Sequence, residues 1–347
     1  MQIKVNTKKH NCPNTSLSGK IRPATTKWIA ATVLDWVRQD HNIGPAELRA
    51  KISKKFNILI PYHRVFDGKE MALDFIQGKW NDSFHMLYSF KAQVEKTSPG
   101  SVVDIDYEVV KGREKVSRGV RYKQADKICF RRCFVCLKAC WKGFLDGCRP
   151  YLAIGATSLT GKFRGHVASA CALDAHNCLL PIAYAVLEGE SNESWTWFMQ
   201  RLREVIGHPE GLVIHTGASE GLENAVDAVF PGVEHRECMR HLATNFTKKF
   251  KGKIFEEDLW RSTYTYTPST HATYLQNMYV VRKVKKYLEE HHTKLWARSN
   301  LGELSKVDFV CNNLAESFND KISGMKTLGI VILLDAIRQC IMVKIDL

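Results

Sequence analysis

The chain has 347 residues, with 50 Lys+Arg against 36 Asp+Glu and a formal charge of +14. A 45% hydrophobic and 25% charged composition is that of a globular protein with enough apolar material for a core, so wholesale disorder is excluded. No apolar run reaches the ~18 residues of a membrane span, the N-terminal MQIKVNTKKHNCPN lacks the apolar stretch of a secretory signal, and the surplus of positive charge points to an anionic partner, nucleic acid first.

In chain order, residues 1–25 are polar and turn-rich. Helical spacing follows from Thr26 to Arg38, then in GPAELRAKISKKF with Pro45 at a helix start, then across residues 61–95. SPG at 98–100 breaks the pattern, and VVDIDYEVV alternates as a strand does. Cys129, Cys133, Cys136 and Cys140 fall at i, i+4, i+7 and i+11, which reads as one stripe along a helix. Four ligands along ~16 Å of straight helix cannot surround a tetrahedral ion, so packing is the better account of the stripe. From residue 150 the pattern becomes PYLAIGATSL, FRGHVASACALDAHN and LLPIAYAVLEG as strands. SNESWTWFMQRLREVIG is an amphipathic helix capped at Ser191 or Asn192, GLVIHTG a strand and SEGLENAVDAVF a helix. VEHREC is a short strand and MRHLATNFTKKF a further helix. Periodicity alone gives α/β with a mixed sheet.

Charge is uneven along this order. Residues 1–55 carry 11 basic and 3 acidic side chains, residues 127–144 five basic and none acidic, and residues 246–300 eleven basic and five acidic. Residues 145–245 reverse the balance, with seven basic and twelve acidic. Eleven cysteines, an odd number in a long chain without an export signal, are expected to be reduced thiols of an intracellular protein.

Four strings carry a resemblance: GCRPYLAIGATSLTGKFRG (147–165), ALDAHNCLLPIAYAVLEGESNESWTWFMQRLRE (172–204), FPGVEHRECMRHLATNFTKKF (230–250) and NNLAESFN (312–319). In order and spacing they resemble the plant Mutator-like element (MULE, MuDR-type) transposases, over about residues 1–340. The resemblance implies an RNase H-like core, a mixed five-stranded sheet with helices, carrying a helical insertion and preceded by a small, mostly helical N-terminal region. It implies a zinc-finger remnant or basic arm over 1–25, a transposase N-terminal region over 26–125, the first part of the core over 126–250, the insertion over 251–310, and final core helices over 311–347.

Such transposases resemble other RNase H-fold enzymes in holding two Mg²⁺ or Mn²⁺ ions with two Asp and one Glu. Two metals activate the nucleophile and stabilise the leaving oxygen of a phosphodiester, and hard ions call for clustered carboxylates. Carried onto this sequence, the first Asp falls at Gly155, the second at Gly217, and the Glu at Glu316. The expectation is a degenerate, truncated member that is catalytically inactive, binds no cofactor and retains DNA binding. The alternatives are a domesticated DNA-binding or transcription-associated regulator, a decayed element, or an active transposase with ligands relocated to Asp146, Asp174 or Glu220. The family's C-x2-H motif is present as Cys238 and His241, within His235-x2-Cys238-x2-His241, for metal binding, DNA contact or packing. His10 and Cys12 match the end of a WRKY-like finger whose first two ligands lie upstream of the present start, so tight zinc binding there is not expected. DNA as partner, no membrane, a possible homo-oligomer and a nuclear location complete what the resemblance implies.

Overall fold

The computed structural model describes residues 24–345, apart from positions 79, 113, 118, 119 and 124, so His10 and Cys12 lie outside the described residues. The chain forms two compact units, Met1–Asp82 and Ser83–Leu347.

The first unit is helical: α1 (Thr26–Gln39), α2 (Pro45–Phe56) and α3 (Tyr62–Gln77). Thr25 caps α1 by accepting from the Trp28 amide at 3.2 Å. Asn57, left-handed at φ 52°, stops α2. Ile29, Val33, Val37, Leu48, Ile52 and Val65 are its fully buried core. A Cβ at Gly68 would lie 2.4 Å from the Ile29 Cγ2, so the close approach of α3 to α1 depends on that glycine.

The boundary between the units falls within α4 (Trp80–Thr97), and the second unit continues through β1 (Val102–Val110), β2 (Glu114–Ser117), β3 (Val120–Lys123), β4 (Lys127–Cys136), α5 (Lys138–Gly147), β5 (Tyr151–Ser158), β6 (His166–Leu173) and β7 (Leu179–Leu187). It goes on with α6 (Asn192–Ile206), β8 (Val213–Thr216), α7 (Glu220–Val229), β9 (Glu234–Glu237) and α8 (Met239–Lys249). Three helices follow, α9 (Lys253–Tyr264), α10 (Pro268–Tyr279) and α11 (Arg282–His291), before α12 (Asn313–Lys321) and α13 (Ile330–Ile345).

The central sheet is mixed and seven-stranded, in the order β1-β4-β7-β6-β5-β8-β9, with β2 and β3 as a separate two-stranded ribbon. Strands β5, β6 and β7 form an antiparallel meander, and β8 and β9 run parallel to β5. The sheet therefore has two strands more than the five expected, because β4 pairs with β7 and β1 pairs with β4. Within the stretch 26–125, expected as one N-terminal region, β1 thus belongs to the central sheet.

The cysteine stripe is corrected by the same finding. Cys129, Cys133 and Cys136 lie on strand β4, and Cys140 alone is helical, on α5. The last five residues of β4, Arg132 to Cys136, are all buried because the strand has neighbours on both edges and layers on both faces. Burial on both faces erases the alternation that marks a strand, and spacing alone then fits a helix equally well.

One face of the sheet is covered by α5, α6 and α7, whose Phe144, Trp195, Phe198, Leu202, Leu222 and Val226 pack on Leu152, Ile154 and Ile214. Each such large apolar side chain contributes about 1.5–3 kcal/mol on burial. The opposite face receives α12 and α13, and the Tyr184 hydroxyl donates to the Leu334 carbonyl at 2.9 Å. Helices α8 to α11 build a further apolar cluster around Leu242, Phe246, Leu259, Met278 and Val284.

Candidate functional site

The site forms where β5 and β8 end side by side. Their parallel register pairs Ile154 with Thr216, so Gly155 and Gly217 follow next to each other. Neither glycine has a positive φ, so the backbone at both positions accepts any L-residue.

Helix α12 lies across these strand ends. Asn312, Glu316 and Asn319 are spaced i, i+4, i+7 and so share one face of the helix. Asn312 Nδ2 donates to the Ile154 carbonyl at 2.8 Å and to the His215 carbonyl at 3.3 Å. Asn319 Nδ2 donates to the Ala156 carbonyl at 3.2 Å. The two amides fasten the helix to β5 and β8 at either side of Glu316. The fit is close: a Cβ at Gly155 would lie 3.0 Å from the Ala315 Cβ. Gly155, Gly217, Glu316 and His241 thereby line one cleft of about 300 Å³.

The β9–α8 junction supplies the other wall. The Cys238 amide donates to the Thr216 carbonyl at 2.8 Å, and the Met239 amide to the Val310 carbonyl at 2.8 Å. Cys238 Sγ, fully buried, accepts from the Asn312 amide at 3.2 Å. The Cys311 thiol, the His241 ring and the His241 amide also hydrogen-bond this sulfur, and together with the Asn312 amide they outweigh burial and pull the Cys238 thiol well below its ordinary value. The same contact raises His241 above the ordinary histidine range, and it pushes the Cys311 thiol up. Cys238, His241 and Glu316 each present a ligand atom, all within 4.8 Å of one another. His235 stands apart from this group: its Nε2 pairs with the Thr216 hydroxyl at 2.9 Å and its Nδ1 faces Asp227 at 3.5 Å. Glu316 also forms an ion pair with Arg240.

None of the three candidate replacement carboxylates reaches the cleft. Asp146 is paired with Lys142 at 2.6 Å on α5. Asp174 accepts the His176 and Cys178 amides at 2.8 and 2.7 Å, closing the β6–β7 turn. Glu220 begins α7 and lines a different cleft, with Lys248, Lys249 and His291. The additional carboxylate on the wall with Glu316 is Glu190, from the β7–α6 loop, which faces His166 Nε2 at 3.5 Å. Its one sequence signal is its place after the strand LLPIAYAVL. A pair of Mg²⁺ or Mn²⁺ ions requires clustered oxygen ligands, and a wall of two glycines, a histidine, an arginine-paired Glu316 and a histidine-facing Glu190 does not fit them.

A buried polar layer, not foreseen from spacing, supports the strand ends. Tyr151 Oη meets His215 Nδ1 at 2.6 Å, and Glu237 Oε1 meets His292 Nδ1 at 2.7 Å. The Arg236 guanidinium, 1% exposed, donates to Glu234 at 2.6 Å, to the Gly302 carbonyl and Ser305 hydroxyl at 3.2 Å each, and to the Val307 carbonyl. Burial lowers His215 and His235 to about 4, so both are neutral at pH 7.

The basic run 127–144 also changes character. Arg132, 4% exposed, binds Asp106 at 2.7 Å and Glu193 at 3.2 Å and stacks on Trp197. Arg131 holds Glu188 at 2.8 Å and Glu193 at 2.9 Å. These charges are neutralised within the unit rather than presented to an anion.

A search of curated proteins gave no match. Residues 151–245, from β5 into α8, match the MULE transposase domain model, which supports a MULE-family transposase-like protein.

Proposed function

We propose that the chain derives from a MULE transposase and has lost its two-metal phosphodiester chemistry, while keeping DNA as a ligand. The observation that carries this reading is the single cleft in which Gly155 and Gly217 flank Glu316. Those are the two positions where the family resemblance expects metal-holding aspartates, and glycine has no ligand atom. The strand order β7-β6-β5-β8-β9, an antiparallel meander followed by two parallel strands, supports reading those five strands as an RNase H-like core, with β4 and β1 added at one edge. The net charge of +14 supports a polyanionic ligand, bound with little sequence preference, and the family resemblance is what supports a nuclear location.

The test is metal-dependent strand cleavage. The native chain is expected to leave labelled duplex and single-stranded DNA intact with Mg²⁺ or Mn²⁺. The Gly155→Asp, Gly217→Asp double variant is expected to nick it, and adding Glu316→Ala is expected to abolish the nicking. Cleavage by the native chain that disappears in Glu316→Ala would overturn the loss of chemistry.

A further inference from the structure

We propose that Cys238, His241 and Glu316 bind one zinc ion at the edge of the cleft, with the fourth position open to solvent. The three side chains come from two segments some 75 residues apart, and their ligand atoms already lie within 4.8 Å of one another. In tetrahedral zinc sites, ligands at about 2.0–2.3 Å from the ion sit roughly 3.3–3.8 Å apart, so the group closes by about one ångström on binding. Two of the three atoms can move. His241 is exposed, and Glu316 is held only by the exposed Arg240 guanidinium. The third is fixed, because Cys238 Sγ is anchored by the Asn312 amide. A set of one sulfur, one imidazole nitrogen and one carboxylate oxygen selects zinc over the hard ions of a carboxylate triad. The Cys311 thiol beside Cys238 acts as a hydrogen-bonding neighbour to the metal-bound sulfur. The ion would tie the start of α8 to α12. Open access comes from the cleft, where Gly217 leaves the His241 ring room: a Cβ there would lie 3.2 Å from its Cε1.

This proposal stands on the donor geometry and not on the reading of ancestry. The full chain, stripped with chelator and dialysed against Zn²⁺ alone, is expected to retain one equivalent by elemental analysis. Co²⁺ in its place is expected to give the visible bands of a tetrahedral ion together with a thiolate-to-metal charge-transfer band. Cys238→Ser should remove the charge-transfer band. His241→Ala and Glu316→Gln, at sites with exposed or half-exposed side chains, should each weaken binding by at least about tenfold. Cys12→Ser and Cys129→Ser should leave stoichiometry and spectrum unchanged. Failure to retain zinc, equal affinity in His241→Ala and Glu316→Gln to that of the native chain, or loss of the ion in Cys12→Ser would each overturn the assignment.

Discussion

Placing aspartate at both glycines should make the fold's stability depend on Mn²⁺, and the cost can be worked from the geometry. The Cβ at 155 meets the Ala315 Cβ at 3.0 Å, and the Cβ at 217 meets the His241 Cε1 at 3.2 Å. Ala315 cannot swing away, so α12 must shift by a few tenths of an ångström, an overpacking of about 1–3 kcal/mol. His241 is exposed and can turn aside at little cost. Neither position has a positive φ, so removing each glycine returns about 0.4–1 kcal/mol through the unfolded chain. Two new charges beside Glu316 repel it by about 1 kcal/mol each in a half-open cleft. The double variant is therefore expected to lose about 1–4 kcal/mol in EDTA, read as a lower urea midpoint with unchanged slope. Mn²⁺ at about 100 times its Kd should then add about 2.7 kcal/mol to the variant. A folded double variant whose midpoint ignores Mn²⁺ would show that the three positions do not converge on a common ion, and would refute the reasoning.

Asn312→Ala should destabilise by about 2–4 kcal/mol, since it removes two buried hydrogen bonds, and should speed amide exchange in α12 more than in α6. His215 and His235, held near 4 in the fold against about 6.5 unfolded, bind fewer protons when folded. Stability should hold above pH 6.5 and fall as pH drops from about 6.5 to 4, by on the order of 1–3 kcal/mol for each, and urea midpoints at pH 7 and 5 read this directly. Glu223 runs the other way. Burial and the nearby Glu237 raise it to about 7, so its contribution is present below pH 4.5 and lost as pH rises through 7. Glu223→Gln should accordingly gain most stability at pH 8, measured against the native chain in the same titration. For DNA, Arg131→Ala should leave affinity unchanged because Glu188 and Glu193 occupy that side chain. Lys248→Ala with Lys249→Ala should instead lower the salt slope by about 0.9 for each phosphate left without its lysine, measured by fluorescence anisotropy across salt.

What can be read in the sequence is what local pattern controls. The β5, β6 and β7 runs, the Ser191 cap of α6 and the Pro45 start of α2 each carry a signal within a few residues. Gly155, Gly217 and Glu316 stand out as motif positions, and the structure places them in one cleft. Strand β4 reads as a helix because burial on both faces of its second half, Arg132 to Cys136, removes alternation there. Arg131 and Arg132 read only as part of the basic run 127–144 because their carboxylate partners are 57–62 residues distant, with Asp106 26 residues back. The grouping of Cys238 with Glu316, and the place of Glu190 on the same wall, arise from packing between elements and leave no mark in spacing.

The clamp of Asn312 and Asn319 on β5 also sets an order of events during synthesis. Its hydrogen bonds span 158 and 163 residues of chain, and the Tyr184–Leu334 bond spans 150. All seven sheet strands leave the ribosome before the first residue of α12. At about 5–20 residues per second, the more than 100 residues from the end of β9 to the end of α13 take roughly 5–20 seconds to appear. For that interval β5, β6 and β7 lack the cover that α12 and α13 later give them on one face. The nascent chain is then at its most exposed to chaperones, and to pairing with a second copy, and truncations before α12 should be recovered as aggregate.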